Sequence, residues 1–121
     1  MKPLNMLLAA ALVLVATASL STIQAVAQTP TVTDDNLSES ITNAKTATDH
    51  EAIATYYDQE AADAKKKAAL HLQSATNVKP VGMENMCKSL AKYWDKVAAQ
   101  DKELASAHRK MAKAASSETG Q

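Results

Sequence analysis

The sequence predicts an all-α fold: an antiparallel helical hairpin with a short helix before it. Glycine, proline and phenylalanine are scarce, with 2, 3 and 0 residues among 121, and this composition favours helices over strands and turns. Two long segments carry apolar residues at heptad spacing. A short linker that contains Pro80 and Gly82 separates these segments. Helices joined by so short a linker pack as antiparallel neighbours.

The first 27 residues have the three parts of a secretory signal peptide. Lys2 supplies a positive charge, residues 6–18 are apolar apart from Thr17, and residues 25–27 form a small-x-small cleavage site. The apolar stretch is shorter than the roughly 20 residues that a membrane-spanning helix needs. We therefore expect cleavage after Ala27, a periplasmic or secreted protein, and no stable membrane anchor after cleavage.

The mature chain is predicted to form one helical domain over residues 36–116. A polar, flexible lead-in over 28–35 precedes it, and a polar tail over 117–121 follows it. Asp35 or Asn36 is suited to cap a short first helix. The apolar residues of that helix fall on one face, which predicts that it lies against the hairpin.

Two main helices are predicted within this domain, over about 49–75 and 83–115. Thr48 and Glu51 fit a capping box, in which each side chain binds the backbone amide of the other residue. Pro80 cannot continue a helix and disfavours helical geometry at the residue before it. The first helix should therefore begin at Asp49 and end before the linker.

The heptad rows of the two helices differ in side-chain size. One row of the first helix is all alanine, at 47, 54, 61, 68 and 75. A row of the second helix is large and apolar: Met83, Leu90, Val97, Leu104 and Met111. We expect these two rows to face each other, with the backbones close together. Because a two-helix hairpin buries little apolar area, we also expect two copies to form a four-helix bundle.

All three histidines and the single cysteine fall into two cross-helix pairs. If the linker is centred near residue 79, His71 faces Cys87 and His50 faces His108, because the members of each pair are equally distant from the centre. The two pairs lie three heptads apart, a separation of about 31 Å along the hairpin.

These pairs, with the methionines near them, predict a metal-binding function. Imidazole, thiolate and thioether groups suit Cu(I) and Zn(II). The candidate ligands are His50, His71, Cys87, His108, Met83, Met86 and Met111. Each pair would supply two to four protein ligands, and dimerisation would complete the coordination.

A structural interpretation of the same residues stays open. Methionines at heptad positions pack as ordinary apolar side chains, and Cys87 is equally suited to a buried position, an intermolecular disulfide or a metal. The sequence contains neither His-Glu-x-x-His nor Cys-x-x-Cys. The alternative is a structural, scaffolding or chaperone-like envelope protein that binds no metal.

Charge and motifs argue against two further classes of function. The chain has 13 basic and 13 acidic residues, which is unlike the basic surface of a nucleic-acid-binding protein. It has no recognisable catalytic motif or phosphate-binding loop. We therefore expect neither nucleic-acid binding nor enzymatic activity, and the one partner that the sequence suggests is a second copy of the chain.

Overall fold

The computed structural model describes residues 29–77, 80, 82–118 and 120. They form three helices, α1 (Leu37–Asn43), α2 (Ala47–Asn77) and α3 (Met83–Glu118), and these described residues contain no strand. Contacts join the start of α2 to the end of α3, so the two helices are antiparallel. The predicted all-α hairpin with a short preceding helix is therefore confirmed. The predicted signal peptide and its cleavage site lie outside the described residues.

The capping residues of α2 differ from the predicted ones. The backbone N–H groups of Lys45 and Thr46 donate to Asp49 Oδ2 at 3.0 and 2.8 Å, and the Asp49 N–H donates to Thr46 Oγ1 at 3.1 Å. These hydrogen bonds lower the pKa of the Asp49 carboxyl, the bond from Lys45 having the largest effect. The predicted Thr48–Glu51 capping box is wrong, because a box of the same spacing two residues earlier satisfies the first amides. α2 consequently begins at Ala47.

Gly82 makes the turn into α3. Its φ of +97° lies in the left-handed region, where a side chain would be strained. The Met83 N–H donates to the Pro80 carbonyl at 3.2 Å. α3 therefore begins at the predicted residue 83, and it continues three residues past the predicted end, to Glu118.

The segment before α1 lies against α2. The Tyr56 hydroxyl donates to Asp34 Oδ1 at 2.7 Å, and the side chain of Asn36 accepts from the Thr33 N–H and donates to the Thr31 carbonyl. A shallow cleft separates residues 29–32 from α2. Residues 29–34 thus contact α2. The predicted flexibility of the lead-in in solution stays a prediction.

Two alanine rows form the seam between α2 and α3. All eight side chains are at most 5% exposed: Ala54, Ala61, Ala68 and Ala75 on α2, and Ala91, Ala98, Ala105 and Ala112 on α3. At the centre Ala61, Ala64 and Ala98 cluster, with Trp94 and Val97 packed against them. Small side chains on both helices let the backbones approach closely.

The predicted pairing of the Ala row with the large apolar row of α3 is therefore wrong. The row that packs on α2 lies one residue further along α3. Large side chains in the seam would hold the two backbones apart. The large side chains of the predicted row lie instead on the outer face of α3, where they are between 38 and 49% exposed: Met83, Leu90, Leu104 and Met111.

Polar contacts flank this seam. Asp58 accepts from Lys102 Nζ at 2.6 Å and from Arg109 Nη2 at 2.5 Å. Lys65 pairs with Asp95 at 2.7 Å, and the Lys67 ammonium lies 4.3 Å from the centre of the Trp94 ring. None of the helices in the described ranges is long and apolar enough to cross a membrane.

Candidate functional site

His50 and His108 contact each other at the open end of the hairpin. Their Nδ1 atoms are 3.2 Å apart, and their ring centroids are separated by 5.4 Å. His50 lies in the first turns of α2, and His108 lies in the last third of α3. The contact occurs where a linker centred near residue 79 places it.

His108 is the buried member of this pair, with 8% of its surface exposed. The ring of Tyr57, one heptad after His50, stacks on it at a centroid distance of 6.0 Å and an angle of 23°. Burial lowers the pKa of His108, and the nearby positive charge of a protonated His50 lowers it further. The surroundings therefore favour the neutral imidazole, which is the form that binds metal ions.

Apolar surroundings extend from the histidine pair into the seam. Burial raises the pKa of the Tyr57 hydroxyl, and the charge of Asp101 raises it further. Burial also raises the pKa of the Asp101 carboxyl. Both shifts favour the neutral form, so this part of the seam disfavours charge.

Arg109 closes the open end beside the histidines. Its Nη2 donates to Asp58, and its Nε lies 3.6 Å from Glu51 Oε2. Hydrogen bonds from Lys102 and then Arg109 lower the pKa of the Asp58 carboxyl. The three ion pairs join α2 and α3 near the open end of the hairpin.

The geometry of the pair allows two kinds of contact. One neutral imidazole can donate its Nδ1–H to the unprotonated Nδ1 of the other. Alternatively, both nitrogens can bind one ion. At metal–nitrogen distances of about 2.0–2.1 Å, two ligands of a tetrahedral ion are about 3.3 Å apart, whereas two ligands in a linear arrangement are about 4 Å apart. The observed 3.2 Å matches the tetrahedral arrangement.

Within the described part of the chain, these two side chains are the only paired ligands at the open end of one hairpin. Among the described residues, no group of three His, Cys, Asp or Glu side chains is arranged to hold one metal ion. A metal bound by His50 and His108 therefore needs further ligands from water or from another molecule.

The second predicted pair, His71 and Cys87, lies near the linker. Cys87 is a free cysteine with 9% of its surface exposed, and His71 is partly buried. No hydrogen bond or ring contact joins either side chain to another described residue. The structure thus buries Cys87 and partly buries His71, without a contact comparable to that between His50 and His108.

The three candidate methionines lie outside the seam. Met83, Met86 and Met111 are 44, 60 and 49% exposed, on the outer face of α3. Their exposure removes them from the set of side chains that the hairpin itself directs towards the histidines. Tyr57 was the residue of the site that sequence reasoning missed, although it shares the heptad row of His50.

Comparison of the chain with protein-family models, curated proteins and solved structures finds no match. Its function is therefore argued from its own residues.

Proposed function

We propose that the mature chain is an exported, non-enzymatic helical protein that binds a transition metal through His50 and His108. The observation that carries this proposal is the Nδ1–Nδ1 distance of 3.2 Å. This spacing suits tetrahedral Zn(II) better than two-coordinate, linear Cu(I), the softer ion that the sequence also suggested.

The surroundings of the pair support metal binding near neutral pH. The pKa of His108 is lowered by burial and by His50, so little proton displacement is needed before a metal binds. The ion pairs of Arg109 with Glu51 and Asp58 fix both helices beside the ligands. A held pair of ligands loses less conformational entropy on binding than a mobile pair.

Metal analysis of the purified mature protein, followed by Zn(II) titration against a competing chelator, tests the proposal. We expect a dissociation constant below about 1 μM, equivalent to about −8 kcal/mol. The variant H50Q/H108Q should lose this binding, and K110Q, an exposed substitution on the same turn of α3, should keep it. A wild-type protein that binds Zn(II) and Cu(I) no more tightly than H50Q/H108Q would contradict the proposal.

Acid should release the metal. Protons compete for the same imidazole nitrogens, so affinity should fall as the pH drops below about 6.5, the ordinary pKa of histidine. The lowered pKa of His108 should delay its own protonation to more acid pH. Titrations between pH 5 and 8 measure this effect, and an affinity that does not change over this range would contradict histidine ligation.

A second candidate function is a structural, scaffolding or chaperone-like role in the cell envelope without a metal. The observation that favours it is the mutual hydrogen bond of the two imidazoles, which together with the Tyr57 stack explains the site without any ion. Metal binding separates the two candidates. If the wild-type protein binds neither Zn(II) nor Cu(I), the structural role remains.

A further inference from the structure

α3 carries a second apolar stripe, which the hairpin leaves exposed. It follows a heptad pattern from residue 83 to residue 111, and its large side chains are between 38 and 60% exposed: Met83, Met86, Leu90, Tyr93, Leu104 and Met111. Val97, in the middle of the stripe, is partly buried. Exposed apolar residues at these positions are typical of a helix that packs on another helix.

Two charged residues flank this stripe at its centre. Lys96 and Glu103 each directly precede a residue of the stripe, one heptad apart, and both are exposed. Neither makes an ion pair with a described residue. In coiled coils, residues at this position pair across the interface and determine the orientation of the helices.

Their spacing selects a second copy of α3 in one antiparallel register. If Val97 faces Gln100 of the second copy, Lys96 faces Glu103 of the second copy, and symmetry gives this pair twice. If the register shifts by one heptad, Lys96 faces a lysine of the second copy. This lysine is Lys96 for a shift in one direction and Lys110 for a shift in the other. In a parallel pair Lys96 would lie nearest Asp101 of the second copy, which is partly buried in its own hairpin, and Glu103 would lie nearest the buried His108. Of these arrangements, only the first antiparallel register pairs exposed residues of opposite charge.

The same register brings the two ends of the hairpins together. The row with Cys87 and His108 adjoins the exposed stripe, and the register places His108 at the level of Cys87 of the second copy. Within each hairpin, His50 contacts His108, and His71 lies at the level of Cys87. The histidine pair of one copy and the His71–Cys87 pair of the other therefore lie at one level of the dimer.

We propose that two copies pair antiparallel through the exposed stripe of α3 and thereby complete two metal sites. Each site consists of His50 and His108 from one copy with His71 and Cys87 from the other. Three imidazole nitrogens and one thiolate supply the donor types and the number of ligands that tetrahedral Zn(II) takes. This inference rests on the proposed metal-binding function, and it supplies the further ligands that His50 and His108 lack among the described residues of one copy.

A mixing experiment tests the composite site. H50Q/H108Q and H71Q/C87S each remove half of every site, so neither variant alone should retain the tight Zn(II) binding of the wild type. In a mixed dimer one of the two sites has all four ligands. Unfolding the two variants together and refolding them should therefore restore about a quarter of the wild-type Zn(II) content, because about half of the dimers are mixed.

Three results would overturn the composite site. If H71Q/C87S alone binds Zn(II) like the wild type, the metal needs only His50 and His108; the proposed function would stand, and this inference would fall. If mixing restores no binding while both variants fold by circular dichroism, the ligands do not combine across copies. A wild-type protein without metal would overturn both proposals.

Cobalt provides a second measurement that needs no variant. Co(II) bound by the wild-type protein should show thiolate-to-cobalt charge-transfer absorption, because Cys87 of the second copy is a ligand. Bound Co(II) without this absorption would exclude the thiolate and contradict the composite site, even if the double variants fail to fold.

Charge reversal tests the register. K96E and E103K should each weaken the dimer by about tenfold, because each turns two attractive pairs into two repulsive ones, and K96E/E103K should restore it. K92E, an exposed reversal away from the stripe, is the matched control. Analytical ultracentrifugation measures the dimerisation constant. A monomeric wild-type protein, or a double variant no stronger than the singles, would overturn the antiparallel register.

Discussion

The two apolar stripes of α3 have opposite side-chain sizes and opposite environments. The stripe that faces α2 is built on four alanines, each at most 3% exposed. The other stripe contains methionine, leucine and tyrosine, and most of it is exposed. The difference shows that close backbone approach, which small side chains allow, and not the hydrophobicity of a row, determines which face packs within the chain. The larger side chains remain available for a second helix.

The largest expected effect comes from enlarging a residue of the alanine stripe. Ala98 is 1% exposed and packs on Ala61, so Ala98→Leu should lower the free energy of unfolding by about 3 kcal/mol through overpacking. Ala99→Leu, on the exposed neighbouring position, should change it by less than about 0.5 kcal/mol. Urea denaturation measures both. Equal effects would contradict the close seam.

The charges beside the two stripes give a smaller contrast. Asp58 pairs across the seam with Lys102 and Arg109, so Asp58→Asn should cost about 1 kcal/mol of unfolding free energy. Glu103 has no ion pair within the described part of the chain, and Glu103→Gln should leave the stability of the isolated hairpin unchanged. Both unfolding free energies are measured at low protein concentration. A larger loss for Glu103→Gln than for Asp58→Asn would contradict the placement of Asp58 beside the seam and of Glu103 beside the outer stripe.

Acid should also reveal the paired carboxylate. The pKa of Asp58 is lowered by its hydrogen bonds to Lys102 and Arg109. Its contribution is therefore present above about pH 4, the ordinary pKa of aspartate, and is lost as the pH falls through the lowered value. The wild type should converge with Asp58→Asn in acid. A stability difference that persists at pH 2 would mean that the charge is not responsible.

The smallest effect on the hairpin is expected at the outer stripe. Leu104 is 42% exposed, so Leu104→Gln should change monomer stability by less than about 0.5 kcal/mol. The same substitution should weaken self-association, because it removes a large apolar side chain from the second stripe. A loss of hairpin stability comparable to that of Ala98→Leu would show that the outer stripe belongs to the core.

The helical hairpin and the contact of His50 with His108 could be predicted because both follow from periodicity and linker position. Heptad spacing locates the helices, and Pro80 with Gly82 locates the centre of the turn. The seam could not be predicted as easily. Two rows of α3 match the heptad spacing and are offset from each other by one residue. One contains Met83 and Leu90, and the other contains Ala91 and Ala98. Hydrophobicity favours the first row, but the second row faces α2.

The capping residues and the ligand set illustrate the same limit. Thr46 with Asp49 and Thr48 with Glu51 have identical spacing, and only the backbone geometry of the turn selects the first pair. The methionines were predicted as ligands from their proximity in sequence to Cys87 and His108. The structure places them on the exposed outer stripe, because successive residues point about 100° apart around the helix axis and proximity in sequence does not fix the direction of a side chain.

Native mass spectrometry of the mature wild-type protein with Zn(II) tests the composite metal site, since it counts chains and bound ions together. The wild-type protein should give a species of two chains with two Zn(II) ions, which H50Q/H108Q should not form. A wild-type spectrum that contains only single chains without bound zinc would contradict the composite site.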